Sequence, residues 1–352
     1  MHLVVQRADL ARALTAVQKA VEKKITIPIL SCVLLTAKDG KLAVRGTDLD
    51  IEISANVSAS VSANGSIAVD AGRMGDIAKK VTGEAVTLSL DDGKLIVKSG
   101  RSRFSLGTLP ANDFPSLNVG DLPVHMKLDL ADLLKPVRFA MSTDPVRYYL
   151  NGAYLHIDKG RVTVVATDGH RLALHYGDPP GQDFAGIIIP RKTVSLVPTG
   201  IIDVRLSQSK IQLETDDITI TSKLIDGTFP DYQRIIPKAN AVKMKVDRAG
   251  LSRAVDRVRS VADERGRVVA LGMGPDGLLL AMSGQDGQAS EEVEAQCDAE
   301  LIVGANSAYL IDILATLTGA EVTFAFADPG SPMLVTDGSE TSIVLMPMRA
   351  PQ

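Results

Sequence analysis

The feature that most constrains this chain is an internal repeat. Leu10, Ala13, Leu14 and Val17 fall at the i, i+3, i+4, i+7 spacing of one helical face, directly after the strand-like Leu3-Val4-Val5. The pattern returns in Met126 to Leu133, continued by Val137 and Ala140, and again in Met244 to Leu251, continued by Val255 and Val258. Leu10, Leu133 and Leu251 take equivalent places, roughly 120 residues apart. Each copy holds a second strand-helix step. Ile67 to Asp70 precedes a helix over Arg73 to Val81, Ile187 to Pro190 precedes one over Arg191 to Val197, and Leu301 to Gly304 precedes one over Ser307 to Leu317. Strands close each copy, and the first two end alike at Asp113-Phe114-Pro115 and Thr228-Phe229-Pro230. Solenoid repeats run ~20–50 residues, so a period this long describes domains.

Hairpin punctuation at Asp39-Gly40, Asp92-Gly93, Lys159-Gly160 and Asp276-Gly277 joins the strands, which outnumber helices in every copy. The pattern predicts an α+β fold of three repeated domains, each with antiparallel sheets and two helices sharing one face. Polar stretches at Gly120-Asp121 and Ala239-Asn240 place the domains at 1–120, 121–239 and 240–352. With no Trp and 4% aromatic residues, the cores must rest on Val, Ile, Leu, Ala and Met. No apolar run approaches the ~18 residues of a membrane span, and Met1 to Arg7 lacks the layout of a signal peptide. Cys32 and Cys297 are isolated and read as reduced, partly buried thiols. These features predict a cytoplasmic protein with no membrane partner, metal or cofactor.

Charge is segregated. Residues 7–24 hold Arg7, Arg12, Lys19, Lys23 and Lys24 against Asp9 and Glu22, and residues 245–259 hold Lys245, Arg248, Arg253, Arg257 and Arg259 against Asp247 and Asp256. Arg73, Lys79 and Lys80 outweigh Asp76, Lys127, Lys135 and Arg138 outweigh Asp129 and Asp132, and Arg191-Lys192 opens another helix. Only the helix carrying Asp312 is acidic, in a chain whose formal net charge is -4. Basic helices in an acidic protein suit a polyanion, and without a recurrent base-reading motif the contact would be to a nucleic-acid backbone.

One stretch, Ala166-Thr167-Asp168-Gly169-His170-Arg171-Leu172-Ala173-Leu174, follows the strand-like Val162 to Val165. It reads as strand, tight Asp-Gly turn and second strand. An enzyme using Asp168 and His170 is the competing reading, although no Ser or Cys stands out as a nucleophile. A monomeric peptide-binding scaffold is a third.

The chain resembles the bacterial DNA polymerase III beta subunit family, the sliding clamps, along nearly its whole length. The resemblance rests on Thr26-Ile27-Pro28-Ile29-Leu30, Gly46 to Leu49, Ser99 to Leu106, Val146-Arg147-Tyr148-Tyr149-Leu150-Asn151-Gly152, Ala166 to Leu172, Asp226 to Tyr232, and Met346-Pro347-Met348-Arg349. It implies three clamp domains per chain, with sheets outside and two helices per domain on the inner face, in a head-to-tail homodimeric ring that encircles duplex DNA without sequence specificity. It implies a non-catalytic processivity factor that tethers the DNA polymerase III alpha subunit, the clamp loader and other proteins carrying clamp-binding peptides. By motif, the peptide cleft between the second and third domains comprises Leu150, Thr167, Gly169, His170, Arg171, Leu172, Pro230, Arg234, Ile235, Asn306, Tyr309, Val344, Met346, Pro347, Met348 and Arg349. DNA contacts are implied at Lys24, Arg73, Tyr148, Tyr149, Arg191 and Lys192.

Overall fold

The structure, a computed structural model, describes residues 1–22, 27–178, 183–262 and 267–350. Lys24 and the tail residues Pro351 and Gln352 lie outside the described residues. The chain divides into two compact units, one of Met1–Leu128 with Leu196–Leu224, the other of Asp129–Ser195 with Ile225–Gln352.

Alternation of apolar and polar residues builds the strands. In His2–Gln6, Leu3 and Val5 turn inward while their neighbours face solvent. The first unit is a single antiparallel ladder of twelve strands. His2–Gln6 pairs with both Ala85–Asp91 and Ile51–Ala63, which folds the ladder back on itself. Ile51–Ala63 also pairs with Ile218–Lys223, register Ile53↔Ile220. The second unit carries a nine-stranded antiparallel sheet, in which Arg171–Gly177 pairs with Thr341–Leu345, and a four-stranded sheet that begins at Gln288–Val293. Asp39-Gly40, Asp92-Gly93 and Lys159-Gly160 hold positive φ at both residues, the geometry whose twist suits a two-residue hairpin.

Six α-helices appear among the described residues: α1 (Arg7–Val17), α2 (Ala71–Lys80), α3 (Leu130–Leu134), α4 (Arg191–Val194), α5 (Arg248–Val258) and α6 (Ser307–Thr316). Leu10, Ala13, Leu14 and Val17 are the buried stripe of α1, and Leu251, Ala254, Val255 and Val258 that of α5. Asp70, Asp129, Asp247 and Asn306 cap four of the helices through side-chain oxygens that accept amide protons of the first turn. Gly75 lets α2 lie against α1, because a Cβ there would strike the Gln18 amide, which donates to Ala71 O.

Helix extents differ from the sequence reading. The stretch 127–138 is not one helix. Lys127 sits on the strand Val124–Leu128, α3 spans only Leu130–Leu134, and a 3-10 turn follows at Arg138–Ala140. Pro136 cannot donate to a helical ladder, which accounts for the break. Likewise Lys245 lies on the strand Val242–Asp247, and α1 stops at Val17. The basic character assigned to five helices therefore shrinks. Lys127 pairs with Asp203 at 3.4 Å and Lys245 with Glu321 at 2.7 Å across their sheets. Within α3 itself the charged residue is Asp132. Arg248 turns inward, its guanidinium donating to Gly319 O and Leu314 O at 2.7 and 3.0 Å.

Candidate peptide-binding and DNA-contact sites

The strands Arg161–Thr167 and Arg171–Gly177 of the second unit are joined by the turn 168–170. The local sequence dictates its form. Thr167 Oγ1 accepts from Gly169 N at 3.1 Å and donates to Arg171 O at 2.7 Å. Asp168 Oδ1 accepts from His170 N and Arg171 N at 2.9 and 3.0 Å. Gly169 adopts φ 90°, which an L side chain resists. The carboxylate of Asp168 is thus occupied by the turn, and its second oxygen accepts from Arg171 Nε at 3.1 Å. Both oxygens of the carboxylate are thereby engaged in holding the turn.

Arg171 fastens the turn to what surrounds it. With its side chain only 11% exposed, it also bonds Asp312 Oδ2 on α6 at 2.6 Å and Phe139 O at 2.8 Å. Its guanidinium stands 4.3 Å from the Tyr309 ring centroid and 5.0 Å from that of Phe139. Burial pushes the Tyr309 hydroxyl above its ordinary pKa. His170 stays exposed beside the same ring, centroids 6.4 Å apart. The strand after the turn is met by the C-terminal segment: Met346 N donates to His170 O at 2.9 Å and Met348 N to Gly304 O at 2.8 Å. Gly304 permits that approach, since a Cβ would collide with Met348 O.

These elements make a floor and a rim. Leu150, Leu172 and Val344 are 4%, 2% and 2% exposed and belong to one buried cluster with Phe229 and Tyr232. Ile235, Met346 and Met348 are 40%, 38% and 41% exposed. The two methionines are therefore surface residues at the end of a core strand. Pro230 and Pro347 are half-buried, while Arg234 and Arg349 are exposed. Arg234 pairs with Asp231 at 2.8 Å. Asn306 is the cap of α6, accepting from Ala308 N and Tyr309 N, so its role is to start the helix that carries Tyr309 and Asp312. Beneath the floor, Tyr154 stacks on Phe229 with centroids 4.8 Å apart, and His156 meets the Tyr232 hydroxyl at 2.9 Å. Burial lowers the His156 pKa and raises that of Tyr232.

Three residues of this site were not assigned to it from the sequence. Phe139 and Asp312 hold Arg171 from below. Arg147 lies over the turn, close enough that a Cβ on Gly169 would stand 2.5 Å from its Nη1. Its Nε donates to Asp144 Oδ2 at 3.0 Å. Asp312 was within reach of sequence reasoning, because Tyr309 and Asp312 share a helix face at i, i+3.

Of the residues suggested for DNA, Tyr148, Tyr149, Arg191 and Lys192 are in the second unit. Tyr148 is 53% exposed and meets Tyr149 edge-on at 5.8 Å. Arg191 N donates to Asn151 O at 2.9 Å, which brings the start of α4 to the loop carrying the tyrosines. Arg73 is in the first unit, exposed on α2, with its amide in the Asp70 cap. No cluster of three or more His, Cys, Asp or Glu suited to a metal occurs among the described residues, and no described helix is long and apolar enough to cross a membrane.

The fold and the matched segments define a chain of three tandem domains of a DNA polymerase accessory subunit. Family models for the DNA polymerase III beta subunit match in sequence order: the N-terminal domain over residues 1–118, the central domain over 126–231 and the C-terminal domain over 233–349. The chain is 40% identical to the beta sliding clamp of Caulobacter vibrioides, over 99% of this chain and 100% of that protein. It is 33% identical to the beta sliding clamp of Escherichia coli K12, with the same shares covered. A Caulobacter crescentus clamp solved with polyethylene glycol at a beta-motif tethering region superposes with a TM-score of 0.95 at 38% identity, covering 99% of both chains. A Bartonella birtlesii clamp bound to griselimycin gives 0.95 at 36% identity, covering 99% of this chain and 100% of that one. The chain belongs to the DNA polymerase III beta subunit family, the bacterial sliding clamps.

Proposed function

We propose that the protein is a DNA sliding clamp that encircles duplex DNA without reading its sequence and holds the replicative polymerase to it. Two copies, each of domains 1–120, 121–239 and 240–352, close head to tail into a ring in the cytoplasm. Two open ladder edges support that closure. Gln288–Val293 ends the four-stranded sheet, and Ser102–Leu109 pairs along its length on one side only, meeting Gly65–Asp70 just at Leu109 and Thr108. The pairing of Ile51–Ala63 with Ile218–Lys223 and of Arg171–Gly177 with Thr341–Leu345 joins successive repeats, and an edge-to-edge pairing between copies would continue the series.

The observation that carries the partner reading is the exposed apolar rim of Ile235, Met346 and Met348 above the buried floor of Leu150, Leu172 and Val344. Methionines adapt to varied apolar side chains, and His170 and Arg349 stand ready for polar or acidic ones. The polymerase III alpha subunit, the clamp loader and other proteins would dock short peptides there, one at a time. Arg73 on α2, together with Tyr148, Tyr149, Arg191 and Lys192, would meet the DNA backbone and unstacked bases. In this reading the protein acts as a non-catalytic tether.

Retention on DNA tests the whole reading. Loaded by its clamp loader, the protein should stay on a closed circular duplex through a salt wash and leave once the circle is cut. Equal loss from closed and linear DNA would favour a peptide-binding scaffold without ring function.

A further inference from the structure

The peptide cleft does not stop at Ile235. A groove of about 540 Å³ runs on from it, lined by residues 233–240 on one side and by Ala327, Ser331 and Pro332 on the other. Its apolar surface comes from Ile235, Ile236, Pro237 and Pro332, and its charged lining is cationic, from Arg234 and Lys238. Asn240 ties the walls together, its Nδ2 donating to Ala325 O at 2.8 Å and Pro332 O at 2.9 Å. Two carboxylates stand near, and both are occupied. Asp231 pairs with Arg234 at 2.8 Å. Asp328 accepts from Gly330 N, Ser331 N and Ser331 Oγ at 2.7, 2.9 and 2.6 Å, so it closes its own turn.

We propose that this groove extends the peptide cleft and receives an acidic residue flanking the apolar anchor of a bound peptide, with Lys238 as its charge partner. The inference rests on the peptide-binding reading of the cleft. Two observations carry it: the groove shares Arg234 and Ile235 with the cleft, and its lining combines an apolar wall with exposed positive charge and no carboxylate. A peptide backbone leaving the Ile235 rim along the groove reaches Lys238 without crossing an acidic side chain of the lining. An exposed charge pair of this kind contributes modestly, so the extension tunes choice among competing peptides more than it sets whether they bind.

The test uses full-length protein and three labelled peptides followed by fluorescence anisotropy: a short clamp-binding segment of a polymerase III alpha subunit, and the same segment lengthened by two aspartates at either end. One of the lengthened peptides should bind about threefold tighter or more at low salt, and the gain should shrink as salt rises. In Lys238→Glu the gain should vanish while the unextended segment keeps its affinity. Equal binding of all three peptides, or a gain that survives Lys238→Glu, overturns the extension and leaves the cleft standing. Failure of the unextended segment to bind the unaltered protein overturns the cleft and the extension with it.

Discussion

In the first unit Thr47 Oγ1 donates to Ile51 O at 2.8 Å and accepts from Leu49 N at 3.0 Å, while Asp48 Oδ1 accepts from Asp50 N and Ile51 N at 2.9 and 2.7 Å. These are the bonds of Thr167 to Arg171, residue for residue. The neighbouring strand matches too, since Lys223 N donates to Asp50 O at 2.8 Å as Met346 N does to His170 O at 2.9 Å. Beyond the shared Thr-Asp pair the side chains differ. Asp50 stands where His170 does, Ile51 where Arg171 does, Glu52 where Leu172 does, and Lys223 where Met346 does. In the first unit these groups satisfy one another: Asp50 pairs with Lys223 at 3.0 Å, and Glu52 accepts from Leu117 N at 3.2 Å and lies 3.7 Å from Arg45. In the second, the charge is drawn underneath through Arg171, and the rim is left apolar and open. The shared backbone is therefore a scaffold, and a handful of side chains decides whether it seals itself or offers a docking surface.

Swapping those side chains should break the difference, and the floor should be the most sensitive point. Leu172→Glu installs the first unit's residue at a floor position that is buried among Leu150, Phe229 and Val344. An uncompensated buried carboxylate costs about 3–5 kcal/mol, so the second unit should unfold at markedly lower urea and peptide binding should disappear. A urea midpoint equal to that of the unaltered protein would mean that the floor is solvated.

Arg171→Ile comes next. It strands Phe139 O and removes the partner of Asp168 and Asp312. Losing hydrogen bonds between charged groups, with a buried acceptor left over, should cost about 2–3 kcal/mol in chemical denaturation. The reciprocal Ile51→Arg should also destabilise, because Ile51 is 2% exposed and a guanidinium there would lose its hydration.

Met348→Ala is smaller and touches the rim alone. It should weaken an alpha-subunit peptide by roughly tenfold, about 1.4 kcal/mol, in calorimetric titration while the unfolding curve is unchanged. Retained affinity would move the pocket away from the C-terminal segment.

What could be read from the sequence divides along the same line. The triple strand-helix plan, the hairpin turns and the reversal at Asp168-Gly169 were legible because each depends on neighbours in the chain, such as a Gly accepting positive φ, whereas the Thr167 and Asp168 side-chain bonds that shape the reversal were not read. The short central helices were not, because the apolar stripe of Leu130, Leu133 and Val137 continues past Pro136 although the backbone ladder does not. Charge was over-read for a related reason. Lys127 and Lys245 look like helix residues by spacing, yet both belong to strands and face acidic partners on other strands. Among the residues matched by motif, Leu150, Leu172 and Val344 are buried and Ile235, Met346 and Met348 exposed, whereas Phe139, Asp312 and Arg147 are joined to the turn only by tertiary contact.

The smallest test concerns the third residue of each turn, where both turns adopt positive φ but only one uses glycine. Gly169 has φ 90° and Leu49 φ 78°. A non-glycine residue in this region costs about 1–2 kcal/mol, and glycine adds a comparable entropy to the unfolded chain. Leu49 is 41% exposed, so it recovers part of the strain by partial burial that glycine would forgo. Leu49→Gly should consequently shift stability by less than about 0.5 kcal/mol, with opposing terms nearly cancelling. Gly169→Ala recovers the unfolded-chain entropy of glycine but gains no burial. Its Cβ takes on the left-handed strain and also meets Arg147 Nη1, so Arg147 must move off the turn. A loss of about 1 kcal/mol is expected, together with weaker peptide binding if Arg147 helps to roof the cleft. Paired thermal melts of the two variants would decide it. Equal shifts would show that the second unit's glycine serves the turn alone; a larger loss in Gly169→Ala would show that it also keeps space for Arg147.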